Sequence, residues 1–470
     1  MDSHLDAMRG KPLARVFAEF SKALYAHVPD QVLRSIRPYV LDSLAVMVAG
    51  SVADSSAVLL RALVRPGSAQ EGTVGGVGKA ASLHDAALLN GAFSHALELD
   101  DDHRVAVLHP GAVVVPAALA ACEGADADGR RFLCAVLAGY EVMCRLGLAF
   151  RGDSFQHGLH PTALFGVFGA AAAASVGMNL SAEATVRALG IAGTQACGLT
   201  EWRADGSWIK RLHPGRAAQS GVLSASLASG GFTGPATIFE GPGGFFRAFS
   251  HGVEVDMVDM VRGLGAMFHA LDTAIKPYPC CRFMHGAIDL AIEAYEQGLR
   301  PHDIRQVNIQ IYETGVLGYH KTPINNVDAQ FNVPYGVACA LAQGAVGLHD
   351  YTGTALARGD IMSLCQRIDV APCAAYSASY PDVYNVEMVV EMISGATRRF
   401  HSTCPSGDPQ ADAYAGRPDR LARETEQKAI GLLEQCGFPG RGEALLSAVR
   451  SLPQAPDLQS LIAALRAPDR

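Results

Sequence analysis

Leu108–Glu123 reads LHPGAVVVPAALAACE, Leu159–Ser175 reads LHPTALFGVFGAAAAAS, and Leu212–Ser229 reads LHPGRAAQSGVLSASLAS. Each is a His-Pro pair followed by an apolar, alanine-rich run of helical length. Proline suits the first position of a helix, because its φ is fixed and its missing N–H is not needed there. The pattern therefore predicts three helices, each headed by a histidine. Free backbone N–H groups and the positive end of the helix dipole attract anions at such a place. Read functionally, the three heads form a site for a carboxylate-bearing substrate. Read structurally, they are three N-caps without chemistry. Runs this apolar, and this rich in small residues, indicate a closely packed helical core.

The bulk numbers agree with a folded enzyme. A chain of 470 residues predicts two domains, and 49% hydrophobic against 18% charged residues supplies a large core. No apolar stretch reaches the length of a membrane span without a charge or glycine break. The start, MDSHLDAMRGKPLARVF, lacks the apolar core of a secretory leader. These features predict a cytoplasmic protein with no membrane partner. A net charge of −8, with no basic stripe interleaved with aromatics, argues against a nucleic-acid partner. The 11 cysteines include no C-x-x-C, so zinc and iron–sulfur spacing is absent and no metal or cofactor is expected.

Helical periodicity is read over Gln31–Gly50 (with Pro38 inside), from Ser82 as a cap to Leu97, and over Ala112–Glu123, Arg131–Gly147, Ala163–Gly177, Ser181–Gly193 and Ala217–Ser229. The character changes near Met267. FHALDTAIK reads as extended, Met284–Tyr295 as helix, VNIQIY as a strand, Val333–Gln343 as helix, and NVEMVVEM-ISGATRRFHST as a hairpin turning at Ser394-Gly395. Helix returns over Arg417–Cys436 and Arg441–Leu452. The expected fold is mainly α. Residues 1–266 form an all-helical domain, 267–403 a smaller α+β lid domain, and 404–470 a helical tail packing back on the first.

Chemistry-bearing residues gather in a few segments. HALELDDDHRVAVLHPGA crowds Glu98, Asp100, Asp101 and Asp102 at the C-terminal end of a helix, where the dipole disfavours negative charge. FQHGLHPTALFG carries His157 and His160; ADGSWIKRLHPGRAAQ carries Lys210, Arg211, His213 and Arg216; TAIKPYPCCRFMHG carries Lys276, Tyr278, Arg282 and His285; DAQFNVPYGVACAL carries Tyr335 beside a helix start. Only seven of the 38 basic residues are lysine. Lys210 and Lys276 alone lie in apolar surroundings, either with stems packed and heads in solvent or as site cations.

These segments, in this order, resemble the MmgE/PrpD family of 2-methylcitrate dehydratases, cis-aconitate decarboxylases and iminodisuccinate epimerases. The resemblance runs from about Ala18 to the end and rests on ELDDDH, LHPGAVVVPA, GLHPTALFGVFGAAAAAS, GTQACGL with DGSWIKRLHPG, and IKPYPCC. It implies a helical domain with a smaller α+β lid, a homodimer, and a di- or tricarboxylate substrate. Carried over motif by motif, the pocket of the decarboxylase branch falls on Glu98, Asp102, His109, His160, Lys210, Lys276 and Tyr335. Glu98 stands where that branch has a shorter acid, and Asp102 where it has threonine.

The implied reactions start or end at a carbon beside a carboxylate, so fixed cations must stabilise the developing charge. Lys210, Arg211, Lys276 and the helix heads could do so. His109 and His160 are read as the acid/base pair, and Tyr335 as a proton donor. Asp100 or Asp101 would orient a histidine or lysine, and Glu98, Asp102, His103 and His157 would complete the binding surface. The expected reaction is a cofactor-independent dehydration of a citrate-like tricarboxylate. Decarboxylation, epimerisation, and a non-catalytic carboxylate binder are the alternatives.

Overall fold

The computed structural model describes residues 10–65, 67, 69–316 and 320–466. Most of the opening stretch, Met1–Arg9, read above for a leader, lies outside them. One hydrophobic cluster unites the N-terminal helices with the C-terminal ones. It draws on Leu13–His27, Asp30–Gly50, Leu83–His95, Gly111–Gly124, Gly129–Phe150, Pro161–Gly177, Ala182–Gly193 and Ile209–Ser229, then on Pro418–Gln435, Arg441–Ser451 and Gln459–Leu465. Every residue of Pro161–Gly177 is buried, as an all-apolar helix requires. Ser82, Asp128 and Ser181 cap their helices by accepting from the N–H of Asp85, Arg131 and Ala184. Gly129–Phe150 is long and apolar enough to cross a membrane, yet 89% of its apolar window is buried inside the fold.

A second cluster spans Cys280 to Phe400, with Trp202 added. It lies under a four-stranded sheet in the order Ile368–Pro372, Ile304–Ile311, Val386–Met392, Thr397–Ser402. The first pair is parallel, with Val307 opposite Ile368; the others are antiparallel, with Met388 between Ile309 and Phe400. Helices His285–Glu296 and Val333–Gln343 pack against it. The fold is thus mainly α with a small sheet domain. The hairpin turns at Gly395 (φ 89°), as its Ser-Gly pair indicates.

Three local expectations change. FHALDTAIK is not extended throughout: His269–Asp272 forms a 3₁₀ turn. The cause is tertiary. The buried pair Glu141–Arg145 accepts the Ala270 N–H (2.8 Å) and donates to the carbonyls of Met260, Arg262 and Met267. The third His-Pro pair does not head its helix, which starts at Ile209 and contains Pro214. His213 therefore sits one turn inside, and Lys210 takes the first turn. The strand Ile368–Pro372 was missed, being short and ending in proline at a sheet edge.

Close helix packing is what brings the site segments together. Leu83–His95 crosses Ile209–Ser229 at a glycine pair. A Cβ on Gly91 would stand 2.7 Å from Gly215 Cα, and one on Gly215 would stand 2.2 Å from the Leu88 carbonyl oxygen. Gly215→Ala must therefore push the helices apart. We expect a loss of about 1–3 kcal/mol in urea unfolding, with weakened catalysis because Lys210 and His213 ride on the displaced helix. An unchanged urea midpoint would contradict this packing.

Candidate active site

The chain reverses sharply after helix Leu83–His95. Glu98 holds φ 53°, a left-handed conformation unusual for a side chain of its size. The turn aims the Glu98 carboxylate at Lys210, whose ammonium donates to Oε1. The Glu98 carbonyl accepts from Lys276 Nζ at 3.1 Å, and Glu98 Oε2 lies 3.7 Å from the same nitrogen. Lys276 Nζ is also 3.9 Å from Asp100 Oδ1. Lys210 Nζ approaches His95 Nε2 at 2.7 Å, and His95 Nδ1 approaches Asp100 Oδ2 at 2.7 Å. The proton assignment that satisfies both contacts has Lys210 donating to Nε2 and Nδ1–H donating to Asp100.

Three further imidazoles close the group. The His109 ring centroid is 4.9 Å from that of His95, and the His160 centroid 5.7 Å. His109 Nδ1 meets the Asp101 carbonyl at 2.8 Å, so Nδ1 carries the proton and Nε2 the lone pair. His160 and His213 face each other Nδ1 to Nδ1 at 3.0 Å, one donating and one accepting. Lys210 Nζ also lies 5.7 Å and 5.4 Å from the ring centres of Trp202 and Phe331, a cation–π shelf supplied partly by the second domain.

The electrostatics separate charged from neutral groups. Burial alone would raise Glu98, but Lys210, His95 and Lys276 outweigh it and hold the carboxyl at about 2. Asp100 is likewise driven far down, because His95, His109 and Lys276 overcome its burial. Burial lowers Lys276, but Asp100, Glu98 and Asp102 more than compensate and raise it. His109 and His160 are pushed well below their ordinary range, by burial first and then by the lysines. The cluster therefore holds fixed cations beside neutral imidazoles. Such a combination can hold an anion and keeps bases free to take protons.

The residues singled out from sequence divide accordingly. Glu98, Asp100, His109, His160, Lys210 and Lys276 meet in one cluster. Asp102 borders it, with Oδ1 3.7 Å from His109 Nδ1 and Oδ2 buried without a partner; burial raises its carboxyl to about 6. Asp101 takes a positioning part instead. Its Oδ1 accepts the Gly111 N–H (2.9 Å), its Oδ2 accepts the Tyr140 hydroxyl (2.6 Å), and burial raises it. Tyr335 is placed differently from expectation. Its hydroxyl donates to the Asp350 carbonyl at 2.6 Å and it packs on Tyr351 within the second core. Arg211 donates to Ser55 Oγ (3.1 Å). His157 is exposed and stacks on His251 at 4.2 Å. His103 turns toward His269 and Asp272.

Sequence reasoning gave no role to His95 and read His213 only as one of the three helix heads. His95 ends a helix five residues before Asp100. A cation-capable ring at the negative end of a helix dipole, next to an acidic run, was the available signal. The side chains of His109, Lys210 and Lys276 are only 13%, 5% and 0% exposed, so the group is an interior one. A cavity of about 460 Å³ is lined by Lys276 together with Leu99, Ile275, Tyr414 and Lys428.

Comparison with known proteins gives this arrangement a context. The chain is 32% identical over 340 residues to the cis-aconitate decarboxylase of Aspergillus terreus, covering 67% of this chain and 68% of that one. It is 28% identical over 465 residues to the cis-aconitate decarboxylase-like protein oryM of Aspergillus oryzae, covering 93% of each. It is 27% identical over 324 residues to the human cis-aconitate decarboxylase, covering 66% of each. With a site of buried cations and neutral imidazoles, these relatives define a lyase-type enzyme. More narrowly, residues 15–258 match the MmgE/PrpD N-terminal domain and residues 278–417 the MmgE/PrpD C-terminal domain. The chain belongs to the MmgE/PrpD family.

The depressed histidines fix a pH response. Burial, then His95 and Lys210, lower His213 to about 4, against about 6.5 in an unfolded chain. Between those values the unfolded state binds a proton that the folded state refuses. Stability from this residue is complete above about pH 6.5 and drains away as the pH falls toward 4. The melting temperature should drop on acidification through that window, and drop less steeply in His213→Gln. Parallel curves for the two proteins would contradict the assignment.

Proposed function

We propose that this enzyme decarboxylates an unsaturated tricarboxylate of the cis-aconitate type, using its own lysines and histidines for charge stabilisation and proton transfer. The observation that carries the reading is the buried pair Lys210 and Lys276 gathered on Glu98, one at its Oε1 and the other at its carbonyl, with the low-lying imidazoles of His109 and His160 beside them. Loss of CO₂ leaves an electron pair on carbon, conjugated with the neighbouring double bond and carboxylate. Two fixed ammoniums in a water-poor site stabilise that charge without reorganising. A proton must then return to carbon. His109, whose Nε2 is free to carry it, and the proton-sharing His160–His213 pair are the candidates. The names of the relatives support decarboxylation over the dehydration that the sequence alone put first.

Dehydration of a citrate-like substrate is the second reading, and Asp102 favours it. Where the decarboxylase branch carries threonine, this chain presents a buried carboxyl oxygen without a partner, close to His109. A carboxylic acid there could give a proton to a leaving hydroxyl.

The discriminating experiment offers cis-aconitate, citrate, 2-methylcitrate and iminodisuccinate in D₂O and follows each by proton NMR. Consumption of cis-aconitate with CO₂ release and one deuterium at carbon is the expected result. An alkene formed from citrate or 2-methylcitrate would shift the assignment to dehydration. Solvent exchange in iminodisuccinate without net loss would shift it to epimerisation. Folded protein that turns over none of them would favour a carboxylate binder. In the active pairing, Lys276→Met should lower kcat/KM by roughly 10²–10³-fold, the scale for losing one preorganised charge-stabilising group. Wild-type kinetics in that variant would remove Lys276 from the chemistry.

A further inference from the structure

Just beyond the acidic run, a second constellation has no part in the proposed reaction. His103, His269 and Asp272 each offer a ligand atom, and the three atoms lie within 4.8 Å of one another. His103 is 2% exposed. Its Nδ1 accepts the Ala106 N–H at 3.3 Å, and its Nε2 is buried with no partner at all. An unpaired ring nitrogen in the interior is costly; with the ring proton moved to Nδ1, at the cost of the long Ala106 contact, Nε2 presents a lone pair to a ligand. His269 Nδ1 and Asp272 Oδ2 stand 3.1 Å apart. In a tetrahedral site with metal–ligand bonds of about 2.0–2.1 Å, neighbouring donor atoms are separated by about 3.4 Å.

We propose that His103, His269 and Asp272 form a site for a divalent first-row transition-metal ion of the Zn²⁺ class. Two imidazoles and one carboxylate suit such an ion, and three protein ligands leave a position for water. His269 and Asp272 are 25% and 45% exposed in their side chains, which provides an entry path. The site was invisible to a search for ligand spacing, because its ligands come from two segments 166 residues apart in sequence, as the numbers of His103 and His269 show.

The position suggests what the ion does. Asp102 and Ala274 exchange both backbone hydrogen bonds, at 2.9 Å and 2.7 Å, in an isolated bridge. That bridge is all the regular pairing between the strand of chain carrying Asp100–Asp102 and the one leading to Lys276. The metal ligands flank it: His103 follows Asp102 directly, and Asp272 precedes Ala274 by two residues. A bound ion would fasten the two segments and so hold Lys276 against Glu98 and Asp100. The Glu141–Arg145 pair already fixes the 269–272 turn from behind, so only a small adjustment of side chains is needed.

The test uses full-length protein stripped by dialysis against a chelator and titrated with Co²⁺. We expect one high-affinity Co²⁺ per chain with visible absorption bands, displaced by Zn²⁺, and a melting temperature raised by Zn²⁺. His269→Ala and Asp272→Asn should lose this binding while keeping the wild-type circular dichroism. His251→Ala, which breaks the exposed Asp153, His157, His251 group, should keep it. Amide exchange at Asp102 and Ala274 should slow by up to about 100-fold when free Zn²⁺ is about 100 times its Kd. No retained Co²⁺, equal retention in His269→Ala, or loss in His251→Ala would overturn the site. Unchanged exchange in loaded protein would overturn the clamp.

Discussion

One carboxylate shared between two buried ammoniums is the constraint on which the rest depends. Removing two lysines and their partners from water costs several kcal/mol per ion before any attraction is counted. Glu98 offsets that cost only because its side chain reaches Lys210 while its carbonyl and second oxygen reach Lys276. Both contacts are made from the left-handed conformation of Glu98. The strain at φ 53° is therefore tied to the charges it organises. Asp100 adds the second negative charge, so two ionised acids stand against the two lysines, while burial keeps His109 and His160 low.

Such a group holds together only if four distant segments are kept in register. Small residues do this on the helical side, where Gly91 against Gly215 sets the separation between His95 and Lys210. The smaller domain does it from above. Gln330 donates to the carbonyls of Leu97 and Pro279, each at 3.0 Å, linking the turn before Glu98 to the segment after Lys276. Arg104, next along the acidic loop, is tied to Asp408 at 3.0 Å, and its carbonyl accepts the Tyr384 hydroxyl. Packing between the domains and chemistry in the site are thus one problem: whatever loosens the second domain from this loop also releases the cations.

Much of this was legible in the chain, for definable reasons. Helices that are apolar on every side, such as Pro161–Gly177, leave few other readings, and the sheet hairpin was marked by alternation and a Ser-Gly turn. Lys210 and Lys276 stood out because a charge in an apolar, proline-punctuated segment needs a partner. What sequence could not supply was direction. Tyr335 sits next to a helix start as expected, but its hydroxyl is spent on Asp350. Asp101 and Asp100 are neighbours with opposite fates, because one faces Tyr140 and Gly111 and the other faces Lys276 and the rings of His95 and His109. His95 was passed over because its partners, Asp100 and Lys210, are five and 115 residues away. Local rules recognise a cap or a strand; they do not see which side chains a tertiary fold turns inward.

The two departures from the decarboxylase pattern now have physical content. A glutamate at position 98 is one methylene longer than the shorter acid that the resemblance implies there. That length lets a single carboxylate contact Lys210 while remaining near Lys276 from the far side of a tight turn. Asp102 brings an extra acid, and the structure does not neutralise it with a hydrogen bond. Its nearest cationic influences are Lys276 and Arg282, both of which oppose the effect of its burial. A substrate carboxylate entering here would meet repulsion from an ionised Asp102, and attraction from a protonated one. The protonation of Asp102, whose Oδ2 no hydrogen bond holds, thus sets whether this edge of the cluster attracts or repels a carboxylate.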